Sequence, residues 1–323
     1  MTEAAPLVEI PEAPIPPGAA AEWFEGKDGA RLRAALFPAT GTPRGSVVLS
    51  GGRTEPIEKY FEAIGELQAR GFSVLAHDWR GQGLSARALP DRLKGHADGF
   101  QPFLDDYRAL LAAFEARLPK PWIALGHSMG GCLTLLALGC GEAARFAAGV
   151  LSAPMLGLQL PLPLPVARGL AGFFCAVGRR HGYVFLQEGS PFDDAFEGNR
   201  LTHDKRRFLR HRHQIRACPD LALGSVTWGW LDFAMRAMTE NARPERLAKI
   251  TIPMLVYSAE ADQIVEVAAQ ARAAERLADA RYVVVPGARH EILMETDDRR
   301  AVFWTAFDDL ADRVAPKLRS PSA

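Results

Sequence analysis

The 323-residue chain lacks a charge of one sign: 38 Lys and Arg stand against 38 Asp and Glu. It therefore has no overall field with which to hold nucleic acid, and nucleic acid is not an expected partner. Cysteine is scarce. Cys132, Cys140, Cys175 and Cys218 make no C-x-x-C pair and no zinc spacing, so neither a disulfide framework nor a metal site is indicated, and the thiols read as buried and free. The opening stretch, "MTEAAPLVEIPEAPIPPGAAAEW", has acidic residues and five prolines where a secretory leader has basic residues and an unbroken apolar run. It reads as a flexible arm over residues 1–21, and the protein as cytoplasmic. A membrane-crossing run is missing too. Residues 146–167 are free of charge and long enough for the roughly 20 positions of a span, but Pro154, Pro161, Pro163 and Pro165 break its second half.

What is present is the mixture of a globular protein, with 48% apolar and 24% charged residues. The length implies one core domain with an insertion. "EWFEG" and "RLRAALFPA" flank an Asp28-Gly29 hairpin signal. Strand-like runs then alternate with helical stretches: "SVVLSGG", a helix over residues 56–70, "FSVLAHD", a helix near residues 103–117, "PWIALGHS", a helix from Met129, and "AAGVLSAP". Strands near residues 254–258 and 281–285 follow, with helices near 266–277 and 297–314. Short apolar strands between helices of this length imply a mostly parallel sheet covered on both faces. The alternation stops over residues 155–240, which read as a cap inserted into a core made of residues 22–154 and 241–315. "LPLPLP" reads as an extended apolar loop, and residues 316–323 as a frayed tail.

"WIALGHSMGGCLTLL" places a serine between a buried strand and a buried helix. Gly126, His127, Ser128, Met129 and Gly130 match G-x-S-x-G, in which a sharp strand-to-helix turn lifts a nucleophilic serine clear of the sheet. A hydroxyl needs a base, and the base needs an acid to orient it. His290, in "VVVPGARHE", and Asp262, in "MLVYSAEADQIV", both follow strand-like runs, with Glu260 as the competing acid. His127 reads as packing of the turn, and Asp78 as a brace for "WRGQG". The oxyanion of an acyl transfer needs amide donors. Met129, after the nucleophile, supplies one, and the Gly51-Gly52 turn the other; Gly52 is named, with Arg53 as the neighbour that could displace it.

With these motifs and the order Ser128, Asp262, His290, the sequence resembles the α/β-hydrolase superfamily, and within it the lysophospholipase and monoacylglycerol lipase branch. The resemblance runs over residues 22–315, through "SGGRTEPIEKYFE", "HDWRGQGLSAR", "GHSMGG", "SAEADQIV", "GARHE" and "FEGNRLTHDKRRF". It implies an α/β-hydrolase fold, a Ser128, Asp262 and His290 triad, oxyanion amides from Gly52 and Met129, and no cofactor. One departure is visible: Ser50-Gly51 stands where the family has His-Gly. The implied substrates are glycerolipids with one acyl chain. "MLGLQLPLPLPVARGLAGFF" would line an acyl channel, touch a membrane surface transiently, or simply pack the cap. "LTHDKRRFLRHRHQIR" would attract phosphate head groups or an anionic bilayer, or form a solvated helix face. Trp228 and Trp230 would complete the acyl pocket or anchor the cap. The expected activity is carboxylester hydrolysis through an acyl-enzyme. A small-ester esterase, a peptidase and a binding module are the alternatives.

Overall fold

A computed structural model describes residues 3–186 and 188–316. Eight strands form one sheet: β1 (Ala20–Glu25), β2 (Arg31–Phe37), β3 (Gly45–Ser50), β4 (Phe72–His77), β5 (Trp122–His127), β6 (Ala148–Ser152), β7 (Met254–Ala259) and β8 (Ala280–Val285). Their order is β1-β2-β4-β3-β5-β6-β7-β8. β1 and β2 are an antiparallel hairpin, and β2 also runs antiparallel to β4; the rest of the sheet is parallel. Gly29, at φ +81°, makes the hairpin turn that the Asp28-Gly29 pair predicts. β3, β4, β5, β6 and β7 are buried along their whole length, which is why they read as continuous apolar runs rather than alternating ones.

The helices are α1 (Phe61–Ala69), α2 (Gln101–Phe114), α3 (Ser128–Gly139), α4 (Leu164–Ala176), α5 (Lys205–Ala217), α6 (Trp228–Asn241), α7 (Pro244–Leu247), α8 (Val267–Arg276) and α9 (Asp297–Val314). α1 and α9 are joined by ion pairs of Arg70 with Asp308 and of Arg300 with Glu66. All of α3 is buried. Its sequence is apolar all round because β5 covers one side and α6, from the insertion, another.

The N-terminal arm is not loose. The Ala5 amide donates to the Ala21 carbonyl and the Trp23 amide to the Glu3 carbonyl, both at 2.9 Å. Further along, the Pro6 carbonyl accepts from Arg33 Nη1 at 2.9 Å and the Val8 amide donates to Glu58 Oε1 at 3.1 Å. Ile10 and Ala13 are buried. A proline-rich segment has few internal hydrogen bonds to satisfy, and the buried Arg33–Glu58 pair supplies external partners. The tail is described only as far as Pro316; the remainder of the expected frayed segment lies outside the described residues.

Between β6 and β7 the insertion holds α4, α5 and α6 and no strand among the described residues. "LPLPLP" is extended only in part. α4 begins at Leu164 with Pro165 in its first turn, where the missing N–H was unpartnered anyway. α5 is capped by Asp204, whose side chain accepts the Arg207 amide at 2.9 Å. The basic tract on α5 is neither a plain solvated face nor a free cationic patch. Arg207 and Arg210 are buried, and both bond Glu62 on α1 at 2.7 Å. Of the cysteines, only Cys132 is buried. No described helix is long and apolar enough to cross a membrane.

Candidate active site

β5 ends at His127 and α3 starts at Ser128, whose φ of +50° is a conformation that side chains rarely adopt. The neighbouring glycines permit this turn. A Cβ at residue 130 would lie 2.3 Å from the carbonyl oxygens of Ser50 and Gly51, and one at residue 126 would lie 2.8 Å from Gly131 Cα. The absence of a side chain at these positions lets α3 pack close to the sheet, and Ser128 is 9% exposed.

His290 reaches the Ser128 hydroxyl. His290 Nε2 lies 2.8 Å from Ser128 Oγ, and Nδ1 lies 2.7 Å from Asp262 Oδ2. An ionised carboxylate only accepts, so Nδ1 carries the proton and Nε2 is free to accept from the serine hydroxyl. The other oxygen of Asp262 accepts the amides of Ile264 at 2.8 Å and Val265 at 3.1 Å. Burial pushes the Asp262 carboxyl up, but its bonds to His290 and to these amides hold it below its usual range. The structure thus brings together Ser128, Asp262 and His290, each in the loop or turn following a strand. Glu260 is exposed and accepts the Gly287 amide instead. His127 packs the turn as expected: its Nδ1–H donates to the Ser152 carbonyl at 3.0 Å, and burial lowers its pKa to about 4. Asp78 braces the loop, accepting from Arg33 Nε at 2.7 Å, the Leu84 amide at 2.9 Å and the Ile57 amide at 3.0 Å.

The expected oxyanion donor Gly52 requires a correction. Its amide donates to Glu55 Oε2 at 2.5 Å and is engaged within the turn. The amide of Arg53 has no acceptor among the described residues, and Arg53 lines the cavity together with Ser128 and Met129. Glu55 belongs to a buried cluster that sequence reading missed. Lys59 Nζ donates to Glu55 Oε1 at 2.9 Å and to Glu291 Oε1 at 2.6 Å, and the Tyr60 hydroxyl donates to Glu55 Oε2. Burial works against the charge on Glu55, but Lys59 and His127 outweigh it and hold the carboxyl ionised; burial pushes Glu291 up. The available signal was the four-residue spacing of Glu55 and Lys59 just after the glycine turn.

The serine opens into a cavity of about 380 Å3. Leu158, Leu160, Leu162 and Leu170 of the insertion line it, with Trp228 and Trp230. So the apolar stretch of residues 155–174 and both tryptophans do face the site. The same stretch also carries exposed Leu164, Val166 and Phe173, and exposed Val177 follows α4.

Residues 41–297 match the family described as serine aminopeptidase, S33. The chain is 32% identical over 303 residues to lysophospholipase L2 of Escherichia coli (strain K12), covering 90% of this chain and 86% of that protein. It is 27% identical to the monoacylglycerol lipase of Mycolicibacterium smegmatis, over 85% of this chain and 91% of the other. Among solved structures, a soluble variant of monoglyceride lipase from Saccharomyces cerevisiae superimposes with a TM-score of 0.70 at 21% identity, covering 91% of this chain and 95% of that one. That likeness carries the α/β-hydrolase fold.

Proposed function

The chain belongs to the serine aminopeptidase S33 family of serine hydrolases, and on that premise we propose that it releases a fatty acid from a glycerolipid bearing one acyl chain. The observation that carries this reading is the hydrogen-bonded series from Asp262 through His290 to Ser128, opening into an apolar cavity. In the proposed reaction, Ser128 Oγ attacks the ester carbonyl as His290 Nε2 takes its proton. The amides of Met129 and Arg53 receive the oxyanion. Collapse breaks the ester C–O bond, and His290 returns the proton to the departing glycerol oxygen. Water, deprotonated by His290, then cleaves the acyl-enzyme, and the proton returns to Ser128 Oγ.

The cavity favours an acyl chain over a peptide. An aminopeptidase needs a free carboxylate for the substrate ammonium group, and the acids that line this cavity, Glu55 and Glu291, are both engaged by Lys59. The exposed apolar side chains on the outer face of α4 suit transient contact with a membrane surface. The test is hydrolysis of a lysophospholipid, a monoacylglycerol, short p-nitrophenyl esters and amino-acid amides. Long-chain esters should be preferred, and activity should vanish in Ser128→Ala. Amide cleavage faster than ester cleavage would favour the peptidase instead.

A further inference from the structure

We propose that Arg53 and Arg200 form a phosphate-binding subsite in the catalytic cavity that selects lysophospholipids over neutral monoacylglycerols. The inference rests on the hydrolase reading above and deepens it, because that reading leaves the head group open.

Both arginines line the cavity, and neither has a carboxylate partner among the described residues. Other buried arginines do pair with acids, although Arg87, which bonds only backbone carbonyls, is a second exception. Buried Arg33 pairs with Glu58 and Asp78, Arg207 with Glu62, and Arg300 with Glu66. Arg53 makes one hydrogen bond, from Nη2 to the Gly224 carbonyl, and lies 5.7 Å from the Trp230 ring centroid. Its Nε is buried with no acceptor. Burial without a counter-charge lowers its pKa to about 10. A cation kept in a largely apolar cavity without an acid is costly unless a ligand supplies the missing charge.

Arg200 lines the same cavity, and the turn that carries it is fixed in place. Asn199 Oδ1 accepts the amides of Leu201 at 3.0 Å and Thr202 at 3.1 Å, which makes a tight turn around it. The Leu201 carbonyl accepts the amide of Glu291, next to His290, at 2.9 Å. The backbone of Arg200 is thereby registered against the loop that carries His290, while its side chain stays exposed. The acids that share the cavity, Glu55 and Glu291, are occupied by Lys59 and do not neutralise either arginine. Guanidinium groups match phosphate oxygens in geometry as well as charge. A lysophospholipid presents such a phosphate on the far side of its glycerol from the scissile ester, and a monoacylglycerol does not.

The experiment compares kcat/KM for lysophosphatidylethanolamine and for the monoacylglycerol with the same acyl chain, below micelle formation, in the wild type, Arg53→Met and Arg200→Gln. The ratio of the two values should fall roughly tenfold or more in each variant, the size of a lost charged hydrogen bond. Using the ratio cancels any general damage to the oxyanion turn. Arg200→Gln, on an exposed turn, carries the test should Arg53→Met fold poorly. Glycerol 3-phosphate should inhibit p-nitrophenyl butyrate hydrolysis competitively in the wild type and more weakly in the variants. A ratio unmoved in Arg200→Gln and in folded Arg53→Met would overturn the subsite while leaving the hydrolase intact. Inhibition by inorganic phosphate as strong as by glycerol 3-phosphate would overturn the head-group assignment. A wild type that cleaves neither lipid would bring down the hydrolase reading itself.

Discussion

His290 stands between Ser128 Oγ at 2.8 Å and Asp262 Oδ2 at 2.7 Å, across 162 positions of sequence on one side and 28 on the other. Its tautomer follows from the carboxylate, and its use as a base follows from the tautomer. Asp262→Asn would present an amide to Nδ1 and favour the wrong tautomer. We expect kcat to fall on the order of 10^4-fold with the fold intact, measured by stopped assay on a p-nitrophenyl ester alongside circular dichroism. A loss of tenfold or less would mean that Asp262 does not orient His290.

The elbow tolerates no side chain at residue 130. Gly130→Ala would put a Cβ 2.3 Å from two backbone carbonyl oxygens, and backbone cannot move aside as a flexible side chain would. The expected outcome is loss of labelling by a fluorophosphonate probe together with a lowered Tm. Normal labelling would contradict the close approach of α3 to β3.

The Glu55–Lys59–Glu291 cluster ties the oxyanion turn to the residue after His290. Removing its central cation by Lys59→Met leaves the buried carboxyl groups of Glu55 and Glu291 without a counter-charge. A destabilisation of about 3–5 kcal/mol is expected, read by urea unfolding. Glu55→Gln should weaken the fold less but release the Gly52 amide, lowering kcat more than it alters KM.

Glu62 links the insertion to the core through Arg207 and Arg210. Burial raises its pKa, but the bonds from Arg207 and the nearby Arg210 and Arg300 outweigh that and bring it to about 2, from an ordinary value of 4.5. A depressed carboxylate adds stability that is fully present above its unfolded pKa and is lost as pH falls through the folded one. Tm should therefore fall between pH 4.5 and about 2, and Glu62→Gln should flatten that part of the curve. An identical acid limb in both proteins would place the sensitive group elsewhere.

On the outer face of α4, Phe173 is 59% exposed. If this face touches a bilayer, Val166→Ser with Phe173→Ser should reduce flotation with lipid vesicles while leaving the hydrolysis of a soluble short-chain ester near the wild-type rate. Unchanged flotation would reduce the patch to an ordinary surface.

The element pattern was legible because strands buried on both faces are short continuous apolar runs and the intervening helices are long enough to cover them. α9 falls on the residues its pattern marks, and the strand-end positions of Ser128, Asp262 and His290 follow from the same pattern. The arm was misread because a proline-rich stretch looks the same in sequence whether it is loose or docked; only the partners offered by Arg33, Glu58 and Ala21 decide. "LPLPLP" was misread in part because Pro165 ends a helix in the interior but begins one in the first turn.

The sequence by itself determined the sheet, the elbow and the chain order of the three catalytic candidates, since all of these rest on local pattern and residue type. Tertiary structure alone decided which glycine-turn amide is free, which charges are paired, and which face of the insertion meets the serine. Those depend on contacts between residues far apart in the chain: Glu55 capturing the Gly52 amide, Glu62 neutralising Arg207 and Arg210, and Arg53 left without an acid. Local composition carries no record of which distant partner will be near enough to form such a bond.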